Sequence, residues 1–115
     1  MHPAVAEGIA LFNSRRFFEA HEVLESLWLK EQSDGKLFLH GLIQVAAAFH
    51  HYMRGNREGF SSLLEKGARK LTLHSENSYG IDLEDLLKQI RPWLATARAK
   101  DPTATTLPLP VVRAL

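Results

Sequence analysis

The chain has 115 residues, 45% of them hydrophobic and 23% charged, which suits one folded domain with its own core and excludes disorder by composition. A formal net charge of +1 gives no electrostatic pull toward nucleic acid or an anionic membrane, so neither is expected as a partner. The absence of cysteine excludes disulfides and thiolate metal sites, and the first residues lack the basic-then-apolar pattern of a signal peptide; a cytoplasmic setting is expected.

The apolar pattern is helical from the start. Pro3 suits a first helical turn, and Val5, Ile9 and Phe12 recur at helical spacing until Asn13-Ser14 breaks the run. A second helix is predicted from about Arg16 to Glu31, with Phe17, Ala20, Leu24 and Leu27 in one stripe. Ser33-Asp34-Gly35 carries capping chemistry for a third helix reaching about Arg54. That helix is apolar on most sides and so is expected to be central. Gly55 and Asn56 predict a tight turn into a fourth helix with Phe60, Leu63, Leu64, Gly67 and Leu71 on one face. After a loop at Asn77-Ser78-Tyr79-Gly80, Asp82 caps a fifth helix, which Pro92 is expected to kink or restart. Beyond Asp101-Pro102, Pro108 and Pro110 suggest an extended strap or a mobile end. The expected architecture is all-α: about five helices as stacked antiparallel αα-hairpins, remotely tetratricopeptide-like. Residues 1–100 would form the domain and residues 101–115 its tail.

One polar cluster stands out on these apolar helices. His21, Glu25 and Trp28 share a face of the second helix at i, i+4 and i+7, with Glu22 a hundred degrees round. On the third helix Gln44 interrupts the most apolar stretch; His40, Gln44 and His51 form one stripe and His50 adjoins it. Antiparallel packing would face the two sets. A structural reading makes His21, Glu22, Glu25, Gln44 and His50 a buried network that fixes helix pairing, with Trp28 as packing cover. Glu25→Gln would then lower stability by about 1–3 kcal/mol. A catalytic reading makes His21, Glu25 and His50 ligands of a divalent metal such as zinc, iron or manganese, with Glu22 as general base in a hydrolase. His21-Glu22-x-x-Glu25 resembles a zincin helix with Glu25 in place of its second histidine. A third reading is a small-ligand or peptide module using a groove between hairpins. Arg15-Arg16 reads as a solvated turn, and His2 and His74 carry no constellation. A homodimer or other protein partner is open, with Phe38, Tyr52 or Phe60 as candidate contacts.

The same residues carry a family resemblance. Phe17 to Trp28, with Glu19-Ala20-His21-Glu22 and Leu24-Glu25 inside it, resembles the signature of a bacterial and archaeal family numbered 309 among domains of unknown function. Gly41-Leu42-Ile43-Gln44 with Ala46-Ala47 and His50 resembles its second motif, and Gly55-Asn56 with Gly59 and Leu64 its third. The resemblance spans residues 5 to 73. It implies small helical hairpins and marks His21, Glu22, Glu25, Trp28, Gln44 and His50 as characteristic positions. It supplies no activity, although members have been labelled as metal-dependent hydrolases.

Overall fold

Among the described residues five helices form where the apolar periodicity places them. The computed structural model describes residues 1–73, 78–98 and 106–115. Helix α1 spans Pro3–Asn13, α2 Phe17–Trp28, α3 Gly35–Met53, α4 Arg57–Leu73 and α5 Leu83–Ala97. His74, Asn77 and the Asp101-Pro102 boundary lie outside the described residues.

The ends follow local chemistry. Arg15 takes a positive φ between α1 and α2, and Arg16 pairs with Glu19 in the first turn of α2. Gly35 N–H donates to Ser33 Oγ at 3.1 Å at the start of α3. Gly55, at φ 74°, turns the chain so that Asn56 Oδ1 accepts from Gly59 N–H at 3.0 Å and caps α4. Asp82 caps α5 by accepting from Asp85 N–H at 3.1 Å. α5 continues through Pro92 as one helix, so the restart expected as the alternative to a kink does not occur. Pro92 sits on the exposed face, where the carbonyl that loses its partner can bond to water.

The helices pack in chain order: α1 on α2, α2 on α3, α3 on α4, α4 on α5, with α3–α4 the most extensive pairing. Phe49 of α3 is the hub of the core. Its ring meets Phe17 of α2 at 5.7 Å, Phe60 of α4 at 5.5 Å and Trp93 of α5 at 5.1 Å. Phe38 and Phe60, suggested above as dimer contacts, are fully buried in this core, and Tyr52 packs on Phe60 and Trp93; their size recruits them inward. α3 and α4 cross at Gly41 and Gly67. A Cβ on Gly67 would meet Gly41 carbonyl oxygen at 2.8 Å and Val45 Cγ2 at 2.9 Å. Between α1 and α2, Gly8 fills the same role against Leu24.

Residues 106–115 run as an extended strap. Consecutive residues of an extended chain turn their backbone groups to opposite sides, and two side-chain amides use this. Gln89 of α5 brackets Val111, donating to its carbonyl and accepting from its N–H, both at 2.9 Å. Asn13 at the end of α1 brackets Val112 in the same way, at 2.9 and 2.8 Å. Trp93 Nε1 donates to Pro108 carbonyl at 3.0 Å, and Ile81 bridges to Ala114. Among the described residues, no helix is long and apolar enough to cross a membrane.

Two substitutions test this frame. Gly67→Ala gains roughly 1 kcal/mol of helix propensity, but the atoms it meets are backbone and a β-branched side chain. We expect a net loss of about 1–2 kcal/mol in urea denaturation. Gln89→Ala strips Val111 of both partners. It should lower stability by about 1–2 kcal/mol and speed amide exchange at Val111 and Val112.

Candidate functional site

α3 is not covered on every side. Its apolar positions face α2, α4 and the core, while His40, Gln44, Ala47 and His51, at i, i+4, i+7 and i+11, make a partly exposed strip between its two neighbours. The polar cluster lies along this strip, and none of it is buried: no polar or charged residue among those described falls in the buried class. The expected buried network is therefore corrected to a rim. Leu39, Leu42 and Phe49 fill the interior, and the polar side chains take the edge where water supplies their remaining hydrogen bonds.

Only part of the predicted set comes together. His21 Nε2 lies 3.4 Å from Glu25 Oε2, in a pair whose side chains are 24% and 48% exposed. His21 Nδ1 is buried without a hydrogen-bond partner. Glu22 is exposed and has no hydrogen bond or ion pair among the described residues. Gln44 turns away from α2 and accepts from Lys70 Nζ of α4 at 2.9 Å. His50 meets α2 through a ring that the motif reading left out: Phe18 lies 5.1 Å from His50 and 5.5 Å from His21, centroid to centroid. At the other end the Trp28 ring lies tilted against His40, 5.1 Å between centroids, and carries Lys36 Nζ 4.6 Å from its ring centroid. His51 packs at Gly59 and its Nδ1 lies 3.1 Å from Asn56 Nδ2. Since Asn56 Oδ1 is taken by the α4 cap, the Asn56 amide donates and the His51 ring accepts.

Among the described residues no group of three or more His, Cys, Asp or Glu is arranged to hold a metal ion. The molecule is a small all-helical domain with internal polar side-chain contacts. Lys70, Phe18, Asn13 and Gln89 are the partners that motif reading missed. Phe18 could have been found from its place three residues before His21; the other three depend on tertiary contacts.

A family model described as a domain of unknown function (DUF309) matches residues 5–63, about half of the chain. The chain belongs to the DUF309 family. The matched stretch holds α1 from Val5 on, all of α2 and α3 and the start of α4, and so all of the α2–α3 strip; it ends short of the residue 73 reached by the motif resemblance. The chain is 27% identical over 92 residues to an uncharacterized protein of Aquifex aeolicus, in an alignment covering 79% of this chain and 28% of that protein. It is 36% identical over 59 residues to the uncharacterized protein YpuF of Bacillus subtilis, covering 50% of this chain and 34% of YpuF. The DUF309 chain thus spans about a third of the length of the curated relatives it matches.

Burial holds the pKa values of His40 and His50 below the ordinary imidazole value. Lys70 adds to the effect at His40; His51, Arg54 and His21 add to it at His50. The folded chain therefore binds protons at these two sites less readily than the unfolded chain. Their contribution is fully present above the unfolded value of about 6.5 and is lost as pH falls from there toward the folded values. We expect the melting temperature to fall as pH drops below about 6.5, and the double variant His40→Gln/His50→Gln to show a shallower fall.

Proposed function

We propose that this chain is a non-catalytic helical scaffold or interaction module, whose strip along α3 sets helix register and presents a face to a partner. The observation that carries this reading is the sequence of cross-helix contacts. Phe18–His50 and Trp28–His40 join α2 to α3 at both ends, and Gln44–Lys70 joins α3 to α4. Each locks one level of the packing, as polar and aromatic edge contacts do when the apolar interior alone would allow a slip. The hairpins α1–α2 and α3–α4, the first packed with Gly8 against Leu24, support a remotely tetratricopeptide-like arrangement. A cradle for an extended peptide does exist, between α1 and α5, and the chain's own strap fills it.

The second reading, a metal-dependent hydrolase using His21, Glu25 and His50 with Glu22 as base, is favoured by one observation: His21 Nδ1 lacks a partner. Against it, Phe18 packs on both imidazoles and Glu22 stands apart on the exposed face.

Untagged protein incubated with zinc or manganese and then dialysed should retain far less than one ion per chain by elemental analysis. One ion per chain, lost in His21→Ala and in His50→Ala, would overturn the scaffold reading in favour of the hydrolase. Because the Glu25 side chain is about half exposed, Glu25→Gln should change stability by no more than about 0.5 kcal/mol, not the larger loss expected of a buried network.

A further inference from the structure

α2 and α4 flank α3 and stand in step. At the level of His50 and His51, α3 meets Phe18 on one side and Gly59 on the other. At the level of His40 and Gly41 it meets Trp28 on one side and Gly67 and Leu71 on the other. The two flanking helices therefore run in the same direction, antiparallel to α3.

Each flank turns one exposed line outward. On α2 and its C-cap it is Phe18, Glu22, Glu25 and Leu29; on α4 it is Ser62, Lys66, Arg69 and Leu73. Both lines step by 4, 3 and 4 residues, the spacing of a single helical face. Leu29 and Leu73 are each 67% exposed and stand at the same end of the molecule, with Leu37, 40% exposed, between them in the first turn of α3. One flank is acidic in its middle, the other basic, and both end in leucine.

We propose that this face pairs with a second copy of the chain about a two-fold axis running along the exposed strip of α3. That rotation preserves height along the helices and exchanges the flanks. α2 of one copy then lies on α4 of the other, in the same direction and with the paired side chains within about one helical turn of each other in height. Glu22 meets Lys66, Glu25 meets Arg69 and Leu29 meets Leu73, each contact made twice, as an isologous interface requires. Any two-fold that laid α2 on α2 would oppose glutamates to glutamates, so the charges choose this axis. Four of the seven exposed large hydrophobic residues among those described, Phe18, Leu29, Leu37 and Leu73, become covered. The pairing adds to the scaffold reading and stands or falls separately from it.

The test is a charge exchange on the full chain, followed by sedimentation. The wild type should move from the monomer mass of 13.0 kDa to twice that value as concentration rises. Glu22→Lys/Glu25→Lys places basic against basic and should remain monomeric; Lys66→Glu/Arg69→Glu places acidic against acidic and should do the same. Mixed in equal amounts, the two variants match at both contacts, and a heterodimer should form. A wild type that is monomeric at every concentration, a dimer that survives either reversal, or a mixture that stays monomeric each overturns the proposal. Circular dichroism checks that the variants fold. A measurement free of charge changes uses the cysteine-free background: Ala47→Cys, near the axis, should cross-link to its own copy under mild oxidation, while Met53→Cys should not. Equal cross-linking of the two overturns the axis.

Discussion

The close crossing of α3 and α4 at Gly41 and Gly67 is the constraint on which the rest of the molecule depends. With no side chain on either helix at the crossing, backbone meets backbone, and α4 comes near enough for Phe60 to reach Phe49. That approach also sets where α5 can lie, because Trp93 seats its ring against both. It raises Lys70 to the height of Gln44. A wider crossing would open the aromatic hub and separate the polar pair in one movement. Stiff, close-packed interiors transmit such a displacement instead of absorbing it.

The polar groups of α2 and α3 are a consequence of how far the other helices can cover α3. α1 and α2 close one side of the molecule, α4 and α5 another, and the outward strip of α3 stays between α2 and α4. Histidine and glutamine suit such a position: each offers an apolar body to its neighbour and a polar edge to water. His40 and His50 keep part of their rings against Trp28 and Phe18, which is why burial disfavours their charged forms. DUF309 membership covers these helices and carries no assigned chemistry.

Much of the fold was legible because it rests on local rules. Helical periodicity, Gly55-Asn56 as a turn and Asp82 as a cap all act within a few residues, and each stands where it was expected. The course of α5 through Pro92 was not legible, since it depends on which side of the helix faces water. The face shared by His21 and Glu25 was legible from spacing alone. The depth of that face was not, because an apolar-looking α3 does not disclose which neighbours are missing. Gln44 shows the limit clearly: its residue type called for a partner, but Lys70 is 26 positions away on another helix. Asn13 looked like a helix breaker, and nothing near it in the chain suggested that it holds Val112.

That last pairing joins residues 99 positions apart, one at the close of the first helix and one in the strap. A ribosome delivers α1 early and Val112 only after all five helices exist. The Asn13 and Gln89 amides therefore gain their backbone partners only once the strap has been made. The strap acts as a late clasp on the nascent chain, so any truncation upstream of Val111 removes the step that closes the fold around its first helix.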